Sequence, residues 1–459
     1  MTIRIASGLS SVCCALVLFC QAAHAETLED IYLQALENDH RFKAAQAERD
    51  AGLEYRNLRR AALLPQIAGD ASWQKSDVDN KVANRELSEE LQEQTPAEYK
   101  STQISYGVGL RQSIIDLSNW HMYAQGKALA NIAEAEFTIA QEELILRTSQ
   151  AYFDALRAVD NLSTAKAEED ALSHQLEQTK QRFAVGLTAI TEVHEAQAAF
   201  DSATANRLVA EGGLGIAFEA LEVLTGRSYR SLSPLRDEFP VEPPEPVARE
   251  EWVKMALENN SALQASQLNT RAAEASAKAA KSRHLPTLSG SLRYGTNERD
   301  IEDITIQDQE ATTVQLDLTV PLFAGGGTSA TRRQAASQYV QARELYLQTQ
   351  RDIVQSTRSR HLDVFTTAAT VKARKQAITS SRSALEATQA GYDVGTRDLV
   401  DVLNAQGRLY SAQRDYHNAL YSYVLATLQL KQAAGVLVAA DIGELNQWLD
   451  STRSVNYTP

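Results

Sequence analysis

The chain carries 59 Asp and Glu and eight His, but the spacing of these side chains sets most acid–base and metal chemistry aside. The densest grouping is His194 between Glu192 and Glu195. An imidazole flanked by carboxylates suits proton transfer when it faces a bound substrate. Here it falls on an amphipathic helical stretch and reads as a solvated surface cluster. Of the seven histidines after residue 25 (His40, His121, His174, His194, His284, His361, His417), no two stand three or four apart. That removes the helical metal pair. Gly325-Gly326-Gly327 lacks the Lys-Ser/Thr of a phosphate loop and reads as a flexible corner between a strand and a long helix. The chain is expected to be no enzyme and to hold neither metal nor cofactor. Its formal net charge of −14 argues against nucleic acid, which needs a basic face.

Cys13, Cys14 and Cys20 all lie within the first 25 residues. That segment has the parts of a secretory signal: Arg4, the apolar run Val12 to Phe19, and the small-x-small site Ala23-His24-Ala25. The mature chain is expected to begin at Glu26 and to contain no cysteine, hence no disulfide or thiolate site. Phe19 is too bulky for the position before a lipidated Cys20. Downstream, no stretch approaches the roughly 20 apolar residues of a membrane helix. A membrane crossing would therefore have to be a β-barrel.

The ten prolines divide what remains. None falls between Pro96 and Pro234, or between Pro321 and Pro459. Both tracts are rich in Ala, Gln, Glu, Leu and Arg, good helix formers. Each has one glycine break, in Phe183-Ala184-Val185-Gly186-Leu187-Thr188 and in Tyr392-Asp393-Val394-Gly395-Thr396-Arg397. Each tract therefore reads as a long helix, a tight turn and a second long helix. The first helix, about Ser118 to Phe183, spans roughly 66 residues and about 100 Å. Helices that long form coiled coils or tube walls. Gly212, Gly213 and Gly215 are expected to weaken the helix after the first turn.

The chain repeats internally. Leu64-Pro65-Gln66 recurs as Leu285-Pro286-Thr287, 221 residues on, and Val193-His194-Glu195-Ala196-Gln197 as Val402-Leu403-Asn404-Ala405-Gln406, 209 on. The first repeat (26–232) and the second (249–438) each read helix, strand, loop, strand, long helix, turn, long helix. A proline-rich linker (233–248) joins them, and a tail (439–459) with no assigned role follows.

Four segments alternate as strands do, at about 66–75, 103–115, 287–295 and 312–322. Ile67, Gly69, Ala71 and Trp73 oppose Gln66, Asp70, Ser72 and Gln74; Val314, Leu316, Leu318 and Val320 oppose Gln315, Asp317 and Thr319. Alternation alone fits a soluble sandwich equally well. Strand lengths of about ten residues, interfacial aromatics at Trp73, Tyr106 and Tyr294, and polar acidic loops favour a barrel in outer-membrane lipid. Four strands cannot close one, and open edges are forbidden in lipid. The barrel is then shared: two copies give eight strands, three give twelve.

These features together resemble the TolC family. The likeness rests on the duplicated Leu-Pro strand starts and on Gln112-Ser113-Ile114-Ile115-Asp116. It rests also on Gln181-Arg182-Phe183 before Val185-Gly186-Leu187, and on Gly391-Tyr392-Asp393-Val394-Gly395-Thr396-Arg397 before Val400-Asp401-Val402-Leu403. It covers Glu26 to about Val438. The resemblance implies an α+β membrane protein, a homotrimer with a twelve-stranded outer-membrane barrel and a periplasmic helical tunnel. It implies an exit duct for efflux or type I secretion, served by a periplasmic adaptor (membrane fusion) protein and an inner-membrane transporter of RND, ABC or MFS type. A periplasmic coiled-coil adaptor is the alternative, though it would carry one hairpin and soluble β domains.

By motif position, Val185, Gly186 and Leu187 with Val394, Gly395 and Thr396 are the tips that adaptors would grip. Tyr392 and Arg397 match the inner-helix members of the network closing the tunnel, with Thr191 and Glu192 as their partners. Glu192 stands where aspartate is usual. Asp401 matches the first of two aspartates lining the constriction, and Asn404 replaces the second. Three copies of Asp401 would form a cation-attracting ring.

Overall fold

The computed structural model describes residues 25–79, 98–301, 304–305, 308–450, 453 and 455–456. The expected leader through His24, its cysteines, the middle of the first strand loop and parts of the tail lie outside them. The first half runs α1 (Leu28–Asn38), α2 (His40–Ala61), β1 (Gln66–Asp79), β2 (Glu98–Ile115), α3 (Leu117–Ala184) and α4 (Ile190–Thr225). After the short β3 (Ser231–Leu232), the second half repeats the order: α5 (Arg249–Asn259), α6 (Ser261–Ser282), β4 (Thr287–Ile301), β5 (Ile304–Thr305), β6 (Gln309–Thr319), α7 (Gly327–Asp393) and α8 (Leu399–Ala433). The tail adds α9 (Ala439–Asn446) and β7 (Val455–Asn456).

Each half opens on two helices where the sequence reads as one. The breaks at Asp39 and Asn260 have the same local cause. Both residues adopt extended backbone, and their side chains accept the N–H of Phe42 (2.9 Å) and Leu263 (3.1 Å). Such N-caps satisfy a donor that the first turn leaves free. Asp116 caps α3 in the same way, accepting from Ser118 and Asn119. Gly186 (φ 74°) and Gly395 (φ 78°) end the two long helices in the left-handed region, where a Cβ is strained. α4 runs unbroken through Gly212, Gly213 and Gly215. Packing along α3 offsets their poor propensity.

The main apolar core lies midway along the long helices. Tyr152, Phe153 and Leu156 of α3 meet Leu221 of α4, Val424 and Leu430 of α8, Ile31 of α1 and Ile442 of α9, all fully or almost fully buried. Each such side chain contributes about 1.5–3 kcal/mol. Elsewhere the helices bury mostly alanine, including Ala128, Ala133, Ala203 and Ala335. Small side chains let the backbones approach closely.

The linker is stitched to this core. Tyr152 Oη donates to Ser233 O (2.7 Å), Tyr423 Oη to Glu242 O (2.8 Å) and Trp252 Nε1 to Pro246 O (2.7 Å), while His361 Nε2 meets Val247 O at 3.0 Å. Tyr152 and His361 stand one repeat offset apart, 209 residues, and each holds one end of the linker. The tail closes over it: β7 pairs with β3, and Arg236 N–H donates to Trp448 O.

The strands form one antiparallel sheet, ordered β1-β2-β4, with β5 and β6 both on the far side of β4. Gln66↔Arg111, Leu110↔Leu292 and Leu292↔Val314 fix the register. β1, β2 and β4 contain 14, 18 and 15 residues, longer than the ten or so that alternation marks. Their outer ends are mostly polar, with only scattered apolar residues such as Val78 and Ile301, so backbone pairing continues after the alternation has faded. Among the described residues, no helix is long and apolar enough to cross a membrane.

Candidate functional site

Directly paired residues project to the same side of a sheet. One face therefore collects Ile67, Ala71 and Trp73 of β1, Ile104, Tyr106, Val108 and Leu110 of β2, Leu292 and Tyr294 of β4, and Val314, Leu316 and Leu318 of β6. No described residue covers it: Val314 is 74% exposed and Trp73 66%. Trp73, Tyr106 and Tyr294 sit on this face at three successive pairing levels.

The opposite face is polar and bonded to itself. Arg293 reaches across β2 to Asp70 at 2.6 Å. Ser72 and Ser105 hydroxyls lie 2.7 Å apart, and Gln103 Nε2 donates to Asn297 Oδ1 at 2.9 Å. Gly107 lies under the arginine's path. A Cβ there would come within 2.8 Å of Tyr294 O and 3.5 Å of the Arg293 guanidinium.

At the far end of the long helices, the two turns mirror each other. Leu187 N–H donates to Arg182 O (2.9 Å) and Thr396 N–H to Gly391 O (2.8 Å), closing matching helix ends. These closures push the apolar turn residues outward. Val185 and Leu187 are each 70% exposed and Val394 is 76% exposed. Gly186, Gly395 and Thr396 are exposed beside them.

Behind the turns, Tyr392 leaves α7 and is buried against Leu176, Ala196, Leu399 and Val402. Its hydroxyl donates to Glu192 Oε2 at 3.2 Å, tying the second hairpin to the first. Burial, and then the Glu192 charge, push the phenol above its ordinary pKa, so it stays a donor. The expected Arg397 partnership with Thr191 and Glu192 does not form within the chain. Arg397, in the turn before α8, instead pairs with Asp401 in the first turn of that helix (3.2 Å). Thr191 is exposed and makes no side-chain hydrogen bond among the described residues. Asp398 caps α8 by accepting from Asp401 N–H, which leaves the Asp401 carboxylate half-exposed and Asn404 exposed further along the helix.

One partner in this cluster escapes sequence reasoning. Arg182, in the last turn of α3, lays its guanidinium over the Tyr392 ring, 4.8 Å from the centroid. The Gln-Arg-Phe motif draws attention to the residue, but no spacing rule reveals a cation over a ring some 210 positions away. Among the described residues, no group of three or more His, Cys, Asp or Glu is arranged to hold a metal ion.

The family described as outer membrane efflux protein is matched over residues 31–227 and 252–436. The chain is 37% identical to the outer membrane protein TolC of Vibrio cholerae, over 95% of this chain and 97% of that protein. It is 31% identical to the alkaline protease secretion protein AprF of Pseudomonas aeruginosa, covering 93% and 88% of the two chains. Among solved structures, the Campylobacter jejuni CmeC outer membrane channel superposes with a TM-score of 0.75 at 20% identity, covering 93% and 90%.

Proposed function

From the premise that the chain belongs to the outer membrane efflux protein family and is an outer-membrane exit duct, we propose how it assembles and gates. Three copies join their sheets into a twelve-stranded barrel, and their helical hairpins into one periplasmic tunnel. The observation that carries the assembly is the bare sheet: apolar on one face, polar on the other, with β1 unpaired on its outer side among the described residues. Lipid tolerates neither unpaired edge groups nor an uncovered polar face, so neighbouring copies supply the missing strands. Twelve strands leave a lumen wider than the eight-stranded barrels that side chains fill.

The tips do the remaining work. The exposed Val185, Leu187 and Val394 give an apolar handle for a periplasmic adaptor protein, which links the duct to an inner-membrane transporter. Gly186, Gly395 and Thr396 complete the handle by holding the turns in shape. Tyr392 and Glu192 latch the hairpins in the closed state, and Arg397 and Thr191 stand ready to meet a neighbouring copy. Asp401 lines the mouth as a ring of three carboxylates, followed by a neutral ring of Asn404. Such a mouth prefers cations, and multivalent cations block it less than they would a double acidic ring. The test is the mass and conductance of the protein purified in detergent. A three-chain particle that conducts across planar bilayers, with cation preference, supports the reading. A single-chain particle that conducts equally well overturns it.

A further inference from the structure

We propose that Arg182 is a positioning residue of the closed tip, clamping Tyr392 so that its hydroxyl stays on Glu192. The inference rests on the latch reading of Tyr392 and extends it to a residue on a third helix.

Three side chains from three helices converge here. Tyr392 comes from the last turn of α7, Glu192 from the first turn of α4, and Arg182 from the last turn of α3. One face of the phenol ring packs in the small apolar cluster of Leu176, Ala196, Leu399 and Val402. The guanidinium stands over the ring at 4.8 Å, within the range where the ring quadrupole attracts a cation. The hydroxyl donates to Glu192. Arg182 thus confines the ring and, by drawing electron density toward itself, strengthens the phenol as a donor to the carboxylate.

Arg182 is itself held in place. Its carbonyl accepts Leu187 N–H, and its charge sits at the carbonyl end of α3, where a cation is favoured. The internal repeat sharpens the point. One repeat offset of 209 places Gly391 opposite Arg182 and Phe183 opposite Tyr392. The first turn therefore supplies the cation and the second supplies the hydroxyl-bearing ring. Exchanging Arg182 for its repeat counterpart would remove the cation, and exchanging Tyr392 for phenylalanine, its own counterpart, would keep the ring and lose the hydroxyl that reaches Glu192. Gly391 cannot take over the arginine's part, since a Cβ there would lie 2.8 Å from Arg397 Cγ. The clamp is thus a heterologous joint between two otherwise duplicated hairpins, and it must break before they can separate.

The experiment is single-channel recording on the assembled full-length protein, comparing wild type with Arg182→Gln, Arg182→Lys, Tyr392→Leu and the Arg182→Gln/Tyr392→Leu double variant. Arg182→Gln should raise the open fraction about three- to tenfold, the range of one cation–ring contact per chain. Arg182→Lys, which keeps the cation, should recover part of the closure. On the Tyr392→Leu background, Arg182→Gln should add almost nothing, because the two residues act as one unit. Cation selectivity should not change, since Arg182 does not line the mouth in this scheme. If Tyr392→Leu opens the channel and Arg182→Gln leaves it as wild type, the clamp is wrong and the latch survives. Equal opening by Arg182→Gln with and without Tyr392 also overturns the clamp, as the arginine would then act elsewhere. If Tyr392→Leu has no effect, the latch falls and the clamp with it.

Discussion

The two ends of this molecule keep their shape by different means. In the sheet, β1, β2, β4 and β6 are each fixed by backbone pairing over eleven or more residues, from Gln66↔Arg111 to Thr287↔Thr319, with one register shift, between Ser113 and Ile115. At the tips, the described ties between hairpins come down to a handful of side chains: Tyr392, Glu192, Arg182 and five or so apolar neighbours. A backbone ladder cannot open by steps, because each broken pair in lipid exposes an unsatisfied group. A side-chain latch opens at the cost of a few interactions that water can replace. The end set in lipid is built to stay, and the end in the periplasm to let go.

The largest expected effect comes from attacking the permanent end. Val314→Arg sets a charge on the lipid-facing side of β6, at about 2–4 kcal/mol per chain if it lies near the bilayer midplane. Carried by every subunit, that should abolish stable oligomers in outer-membrane fractions. Wild-type oligomer yield would mean that this face does not meet lipid. Next is the labile end. Tyr392→Phe keeps the ring and removes the hydrogen bond to a carboxylate, worth about 1.5–3 kcal/mol at most. Oligomer yield should hold while the open fraction in planar bilayers rises by about tenfold. An equal loss of oligomer from both substitutions would erase the contrast between the two ends.

The same contrast explains what the sequence made legible. Long-period features came through: two proline-free tracts gave α3, α4, α7 and α8, and Gly186 and Gly395 marked both turns. Alternation located all four main strands but understated their length, because hydrogen bonding continues where side-chain pattern stops. The tail carried no pattern, since β3 and β7 are two residues each and owe their pairing to the linker beneath them. At the tip, motif positions set Tyr392 and Arg397 against Thr191 and Glu192, and of these four the chain joins Tyr392 to Glu192. Arg182 was not paired, and Arg397, in the turn just before α8, turned to Asp401 four residues on. Local spacing decides an i,i+4 ion pair; a contact between hairpins is decided by how they pack.

A smaller effect is expected from the charges proposed to line the mouth. Asp401→Asn should lower cation preference and relieve multivalent-cation block by a few-fold. Its partner sharpens the test. Arg397 offsets part of the Asp401 charge at 3.2 Å, so Arg397→Gln should move selectivity the opposite way. Reversal potentials in a salt gradient report both signs. Shifts of the same sign would mean that the two residues act through tip structure rather than through charge.

The smallest effect belongs to the barrel's own charges, and its smallness is the informative part. Asp70 and Arg293 are each about half exposed, and a solvated ion pair of this kind is worth about 0–1 kcal/mol. Asp70→Asn should therefore leave oligomer yield unchanged. It would add three unpaired guanidinium groups to the lumen of a trimer, spread around a wide ring. Charges separated by more than about 8 Å at physiological salt are largely screened from one another. A passing ion would meet them singly, whereas the narrow mouth proposed for the tip would bring the Asp401 carboxylates together. The expected change in selectivity is below about twofold, and it should shrink further as salt is raised. A shift as large as that of Asp401→Asn would make the barrel the filter, and the tip would keep only its role as a latch.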